Sequence, residues 1–182
     1  TAADAHGDVF SRNRVDVRVA PEGLDPSARL EVARLIRAGC GAVDVARAEL
    51  PLEPLAADLV VSAETLLGLG HTLRQRARLH EVVGGVHSVA LFDASGVLLA
   101  LAEDIGRHNA VDKVVGYCFL KGIPLEDKIL LCSGRLSYET VSKALRVRIP
   151  ILISLSAPTS LAVHLAEQFG ETLIGYLRGG RM

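Results

Sequence analysis

The fold of this chain is decided by the stretch Val86-His-Ser-Val-Ala-Leu-Phe92, Asp93-Ala-Ser-Gly96 and Val97-Leu-Leu-Ala-Leu-Ala102. Two apolar runs on either side of a short turn-forming segment predict a β-hairpin. Beyond the hairpin, short apolar runs alternate with helical segments of about ten residues. Strands are predicted at 129–132, 151–155 and 172–177, and helices at 62–79, from the polar segment 103–109 to 120, at 137–146 and at 159–169. This order indicates an α/β fold in which right-handed crossovers join parallel strands.

Composition excludes several classes of protein. The 182 residues carry a net charge of −1 and are 23% charged, which is unlike a disordered acidic tail or a basic nucleic-acid arm. At 49% hydrophobic residues the chain can bury a full core, whereas 4% aromatic residues argue against serial stacking of single-stranded bases. No uninterrupted apolar stretch is long enough to span a membrane. We therefore expect neither a nucleic-acid partner nor a membrane.

The chain divides into two parts near Pro51 and Pro54, which punctuate the sequence. Residues 1–53 form a small N-terminal segment, with a strand at 15–19, a helix from Asp25 to a stop at Gly39, and a weaker helical stretch at 42–50. The loop between those two helices contains Cys40. Residues 54–182 form the α/β domain described above.

Polar clusters follow four of the predicted strands. They are Glu103-Asp-Ile-Gly-Arg-His-Asn109, Ser133-Gly-Arg-Leu-Ser137, Ser156-Ala-Pro-Thr-Ser160 and Arg178-Gly-Gly-Arg181. If the strands are parallel, all four clusters lie at one edge of the sheet, where such folds bind ligands. Three of them lead into helix N-termini, which favour anions, and Arg107, Arg135, Arg178 and Arg181 supply forked donors for phosphate oxygens. The edge therefore predicts a phosphorylated, nucleotide-bearing ligand, with His108 beside Arg107 as a second basic contact.

Structural roles are the alternative for each cluster. Asn109 with Asp112 is a plausible helix cap, Ser137 and Thr159 are ordinary N-caps, and the C-terminal arginines fit a solvated tail. His87, which lies on a strand, is interpreted as a hydrogen-bonded core histidine. The sequence lacks a P-loop, a dinucleotide fingerprint and a nucleophile elbow. It also lacks the zinc-binding motifs of the nucleoside deaminases, although the order of elements resembles that fold, and no histidines have metal-ligand spacing.

Three widely separated cysteines favour a reducing cytoplasm over a disulfide framework. Cys118 and Cys132 lie in apolar runs and are predicted to fill the core. Cys40 lies between two glycines on a loop, where a thiolate is accessible as a nucleophile or sulfur carrier.

Several motifs together resemble the formate dehydrogenase accessory sulfurtransferase family (FdhD/NarQ). They are Gly84-Gly-Val-His-Ser-Val-Ala-Leu-Phe-Asp93, Glu103-Asp-Ile-Gly-Arg-His-Asn-Ala-Val-Asp-Lys-Val114, Ser133-Gly-Arg135, Ser154-Leu-Ser-Ala-Pro-Thr-Ser-Leu-Ala-Val163 and Gly175-Tyr-Leu-Arg-Gly-Gly-Arg181. The resemblance covers roughly residue 40 to the end. It implies a cytidine-deaminase-like layered sheet and a cytoplasmic, homodimeric sulfur carrier.

The resemblance also implies the chemistry of such a carrier. A cysteine desulfurase supplies sulfur as a cysteine persulfide on Cys40. The carrier passes the sulfur to the bis-(molybdopterin guanine dinucleotide) cofactor of formate dehydrogenase. The residues implied to bind this cofactor, or a guanine nucleotide, are Tyr176, Leu177, Arg178, Gly179, Gly180 and Arg181, together with Arg107, His108 and Arg135 at the same edge.

One departure leaves a second reading open. The family's loop has a second cysteine, whereas this chain reads Cys40-Gly-Ala-Val43. One thiolate suffices to carry a sulfane sulfur, and a second only resolves or relays it. The alternative is therefore a non-catalytic chaperone that binds the molybdenum cofactor for formate dehydrogenase. A nucleotide-dependent enzyme with His108 as a general base is a third and weaker reading.

Overall fold

A computed structural model describes residues 52–56 and 58–182. The predictions made for residues 1–51, including the Cys40 loop and Val43, lie outside the described residues, and the division near residue 53 stays a prediction. The helices are α1 (Ala63–Arg76), α2 (Arg78–Val83), α3 (Arg107–Lys121), α4 (Tyr138–Arg146) and α5 (Ser160–Phe169). The strands are β1 (His87–Phe92), β2 (Leu98–Asp104), β3 (Ile129–Cys132), β4 (Ile151–Ser154) and β5 (Thr172–Ile174).

The five strands form one sheet in the order β2-β1-β3-β4-β5. Strand β1 is antiparallel to both of its neighbours, whereas β3, β4 and β5 are mutually parallel. Strands β2, β3, β4 and β5 therefore all point the same way. Their C-terminal ends and the N-terminal end of β1 make up one edge of the sheet, which we call the carboxyl edge. This confirms the predicted α/β class, with a hairpin followed by alternating helices and strands.

Both faces of the sheet are covered. Leu130 and Leu152 face α3, α4 and α5, whereas their strand neighbours Leu131 and Ile153 face α1. Side chains alternate between the two faces along a strand. Burial on both sides therefore explains why these strands appear in the sequence as continuous apolar runs. None of the helices in the described part of the chain is long and apolar enough to cross a membrane.

The hairpin turn is organised by one aspartate. The Asp93 carboxylate accepts hydrogen bonds from the Ser95 amide (2.9 Å), the Ser95 hydroxyl (2.7 Å) and the Val97 amide (3.0 Å). Gly96 has a φ of +88°, which a residue without a side chain adopts most easily. The turn predicted at 93–96 is therefore confirmed, and its aspartate, serine and glycine are the residues that close the hairpin.

The prediction of one helix at 62–79 was wrong, because the chain breaks at Ala77 into α1 and α2. Ser62 caps α1 as expected and accepts the Thr65 amide at 3.1 Å. Helix α2 is instead capped from β2: the Glu103 carboxylate accepts the amides of Leu79 (2.8 Å) and His80 (2.9 Å). A carboxylate at a helix N-terminus satisfies unpaired donors and the helix dipole. Because Glu103 lies far from α2 in the sequence, no local sequence pattern predicts this cap.

Three further boundaries differ from the predictions. Helix α3 begins at Arg107, so Asn109 lies inside it and is not its cap. The Asp104 carboxylate, at the end of β2, instead accepts the Gly106 amide at 2.8 Å and the Asn109 side-chain amide at 3.3 Å. Strand β2 continues to Asp104, beyond the predicted end at 102, and β5 ends at Ile174.

Candidate functional site

The carboxyl edge brings the predicted site residues onto one side of the sheet. Arg107 and His108 begin α3 after β2, Arg135 lies in the loop after β3, and the segment 176–181 follows β5. Among the strands of the described residues, β2 and β5 are the two outer ones. At about 4.8 Å between neighbouring strands, the edge is roughly 19 Å long. The predicted residues are therefore distributed along an edge long enough for an extended ligand.

In the inner part of this edge, His87 and Arg107 both lie close to Gly134. A Cβ placed on Gly134 would lie 3.0 Å from His87 Nδ1 and 3.3 Å from Arg107 Cβ. A side chain at this position would push against both neighbours, so glycine permits the approach. The His87 imidazole, the start of α3 and the loop after β3 thus meet at one point.

His87 differs from its interpretation as a hydrogen-bonded core residue. Its side chain is half-buried, and neither ring nitrogen hydrogen-bonds to a residue that the structure describes. It lies at the carboxyl edge because β1 runs antiparallel and therefore starts where β2 ends, with His87 opposite Asp104. The antiparallel hairpin was the signal in the sequence that could have placed His87 here.

Both histidines of the edge are held neutral near pH 7. Burial, the Arg107 charge and His80 lower the pKa of His87. Burial and Arg107 likewise lower the pKa of His108, and they outweigh the opposite effect of Glu139. His108 Nε2 lies 3.0 Å from Glu139 Oε2 without the alignment of a hydrogen bond, and its Nδ1 has no hydrogen-bond partner among the described residues. Sequence reasoning missed Glu139, which is brought to His108 by the packing of α4 beside α3.

The start of α3 is positively charged. Gly106 at the N-cap offers no side chain to the first amides, and the first turn contains no acidic residue. The Asp104 carboxylate, which precedes the helix, lies 2.5 Å from the Lys113 ammonium. Lys113, with the Gly106 amide and Asn109, lowers the pKa of Asp104 to about 2. Asp104 is therefore neutralised by its own ion pair, while the helix N-terminus and Arg107 keep a positive field at the edge.

The loops of the edge are joined to one another by backbone hydrogen bonds. The Leu136 amide donates to the Ala157 carbonyl (3.2 Å), and the Thr159 amide donates back to the Leu136 carbonyl (2.9 Å). The Tyr176 amide donates to the Ser156 carbonyl at 3.0 Å. The loops after β3, β4 and β5 thus continue the sheet beyond its strands, which restricts the positions of the residues that they carry.

The segment 176–181 ends the edge in a tight turn. Arg178 and Arg181 exchange backbone hydrogen bonds of 3.0 and 3.2 Å around Gly179 and Gly180, both of which have positive φ. The Tyr176 side chain is 52% exposed, and the Arg178 guanidinium carbon lies 5.7 Å from its ring centroid. The Leu177 side chain is instead buried in the cluster formed with α1, so it anchors the segment. An exposed aromatic ring beside a guanidinium is suited to stacking and to anion contact.

The two cysteines within the described residues are core residues, as predicted. Cys118 and Cys132 are both buried. Burial raises the pKa of the Cys118 thiol, and it raises the pKa of Cys132 to about 12, with a smaller contribution from Glu171. A thiol with a raised pKa is a poor nucleophile. Neither of these cysteines is therefore suited to carry sulfur.

The fold and the edge together define a layered α/β protein with a mixed five-stranded sheet and basic residues where its parallel strands end. The chain belongs to the FdhD/NarQ family, whose model matches residues 3–182.

Individual relatives are similar over most of this chain. The sulfur carrier protein FdhD of Saccharolobus solfataricus is 43% identical over 175 residues, which cover 94% of this chain and 67% of the relative. The protein of the same name from Mycobacterium tuberculosis is 40% identical over 176 residues, covering 93% and 64%. A crystal structure from Desulfotalea psychrophila, assigned as a formate dehydrogenase accessory protein, superposes with a TM-score of 0.66 at 35% identity, over 71% of this chain and 55% of that one. The chain thus spans about two thirds of the length of these two curated relatives.

Proposed function

We propose that this protein is a sulfur carrier that receives persulfide sulfur from a cysteine desulfurase and passes it to bis-(molybdopterin guanine dinucleotide) for formate dehydrogenase. The observation that carries the proposal is the basic carboxyl edge in a chain whose relatives are named sulfur carriers. We extend the proposal to a cytoplasmic location and a homodimer, in line with the family resemblance.

The edge suits the proposed ligand in charge and in length. A guanine dinucleotide cofactor carries pyrophosphates, and Arg107, Arg135, Arg178 and Arg181 offer guanidinium groups along this side of the sheet. The glycine at position 134 leaves room for close approach, and the exposed ring of Tyr176 offers a surface for a flat heterocycle. In this arrangement the cofactor is a bound substrate, and the protein contributes positive charge and a surface that fits the cofactor.

Cys40 is the proposed carrier because Cys118 and Cys132 are buried with raised pKa values. The Cys40 thiolate attacks the terminal sulfur of the desulfurase persulfide. A new sulfur–sulfur bond forms on Cys40, the old one breaks, and the desulfurase cysteine leaves as a thiolate. Sulfane sulfur changes place without net oxidation or reduction, so this step requires only one cysteine on the carrier.

Incubation with a desulfurase and cysteine tests the proposal. Mass spectrometry is expected to show a mass increase of about 32 Da, one sulfur atom, on the Cys40 peptide. The Cys40→Ala variant is expected to take up no sulfur, and Cys118→Ala, which removes a buried thiol, is the matched control. Equal labelling of Cys40→Ala and the unchanged protein would refute the role of Cys40.

Val43 favours a second candidate function, because it stands where the family has its second loop cysteine. In this alternative the protein is a chaperone that binds the molybdenum cofactor without transferring sulfur. Cells carrying Cys40→Ala would then retain formate dehydrogenase activity, whereas cells carrying Arg178→Ala together with Arg181→Ala would lose it. The first proposal expects both sets of cells to lose the activity.

A further inference from the structure

The inner part of the carboxyl edge contains the imidazole of His87. His87 makes no hydrogen bond to any residue that the structure describes, and its ring is half-buried. His80, by contrast, has its Nδ1 2.9 Å from the Val86 carbonyl oxygen. The ring nitrogens of His108 also make no hydrogen bond to a described residue, but they are fully buried, and Nε2 lies 3.0 Å from the Glu139 carboxylate. A polar group that makes no hydrogen bond to the described residues at the edge of a binding site is available to a ligand.

The surroundings of His87 favour a negatively charged ligand. Its Nδ1 and the Arg107 Cβ both approach the same point above Gly134. The ionisable groups on the elements around it include Arg107 and His108 on α3, His80 on α2, Glu103 and Asp104 on β2, Arg135 in the loop after β3, and Glu139 on α4.

The carboxylates among these groups are engaged elsewhere. Glu103 accepts the amides of α2, Asp104 pairs with Lys113, and Glu139 faces His108. The charges that act on His87 are therefore those of Arg107 and His80, and together with burial, which has the larger effect, they lower the pKa of His87.

We propose that His87 contacts the polyanion bound at the carboxyl edge and takes up one proton from solution when the polyanion binds. This inference rests on the proposed function, because it takes the ligand to be a pyrophosphate-bearing nucleotide. The bound anion offsets the charge of Arg107 and accepts a hydrogen bond from the imidazolium, and both effects favour the protonated ring. By linkage, the affinity rises as the pH falls, by at most about tenfold per pH unit for one proton.

The probe for this inference is P1,P2-di(guanosine-5′) pyrophosphate. A terminal phosphate titrates near pH 6, whereas this compound has no terminal phosphate, so its own charge stays constant between about pH 6 and 8. Isothermal titration calorimetry in PIPES and in imidazole buffer, which differ in ionisation enthalpy, counts the protons taken up on binding. The unchanged protein and the control His71→Gln, which alters an exposed histidine of α1, are expected to take up about one proton at a pH between the pKa of His87 in the free protein and its higher pKa in the complex.

The variant His87→Gln retains hydrogen-bonding groups but cannot be protonated. It is expected to bind with no proton uptake and with an affinity that no longer changes with pH. NMR titration of the His87 ring in the unchanged protein provides an independent measurement. The pKa of His87 is expected to rise when the probe saturates the site. Proton uptake that persists in His87→Gln, or a pKa of His87 that does not move, would overturn the inference alone. Failure of the unchanged protein to bind the probe would refute the nucleotide ligand as well.

Discussion

The Ser154 hydroxyl donates a 2.6 Å hydrogen bond to the carbonyl oxygen of Gly134. The same hydroxyl accepts the Ser156 amide at 2.8 Å, and Ser154 is fully buried at the end of β4. One side chain therefore connects the loop after β3, which contains the close approach at Gly134, to the loop after β4. Since buried polar groups are costly without partners, this hydroxyl determines the positions of two loops at once.

Replacement of Ser154 by alanine is expected to destabilise the protein. The Gly134 carbonyl and the Ser156 amide would each lose a partner, which costs about 1–3 kcal/mol of unfolding free energy. Urea denaturation measures the loss. The control Ser160→Ala, at an exposed position in the first turn of α5, is expected to change stability by less than about 0.5 kcal/mol. Equal stabilities of the two variants would show that the buried hydroxyl does not hold the loops.

Replacement of Glu139 by glutamine is expected to strengthen polyanion binding. Its carboxylate lies 3.0 Å from His108 Nε2 and opposes any anion that approaches the start of α3. Removal of one partly exposed charge corresponds to roughly 1 kcal/mol, or about threefold to tenfold in affinity for the diguanosine pyrophosphate. Calorimetry measures the change, and Glu167→Gln, at an exposed position on α5, provides the control. Weaker binding by Glu139→Gln would mean that the carboxylate contacts the ligand favourably.

Replacement of Tyr176 by glycine is expected to leave the stability of the protein undiminished and to weaken ligand binding. Tyr176 has a φ of +58°, a conformation that costs a residue with a side chain roughly 1–2 kcal/mol. Glycine relieves this strain but removes the exposed ring, and loss of a stacked base weakens binding by about 1–3 kcal/mol.

The variant Tyr176→Gly should therefore fold with undiminished stability and bind the diguanosine pyrophosphate more weakly, while Tyr176→Phe retains binding. Tyr117→Ala, on the exposed side of α3, is the control for loss of a surface ring. Unaltered affinity in Tyr176→Gly would exclude stacking on this ring.

Replacement of Glu171 by leucine is expected to stabilise the protein and to flatten its pH dependence. Glu171 is 6% exposed, its carboxyl oxygens hydrogen-bond to no described residue, and burial raises its pKa from 4.5 to about 9. Between these two values the folded state holds a proton that the unfolded state has released. Stability therefore falls as the pH rises through this window, by about 1.4 kcal/mol per pH unit.

Urea denaturation at several pH values is expected to show this slope in the unchanged protein and in the surface control Glu167→Gln, and to show it much reduced in Glu171→Leu. A slope that survives in Glu171→Leu would assign the pH dependence to other groups.

Much of the edge was predictable from the sequence because its residues follow strands whose apolar character is a local property. Arg107, His108, Arg135 and the segment 176–181 were placed together by assuming parallel strands, and the strand directions agree. His87 was misinterpreted because its environment depends on Arg107 and Gly134, which are distant in the chain. Glu103 capping α2 and Glu139 beside His108 were missed for the same reason.

The amino-acid sequence by itself determined the order of strands and helices, the hairpin turn and the family, since periodicity, turn residues and motifs are all contained in short stretches of chain. Only the tertiary structure decided which of the conspicuous polar residues support the fold and which face the edge. Charge, burial and hydrogen bonding at each site depend on residues that lie far apart in the chain, and their distances are set when the sheet assembles.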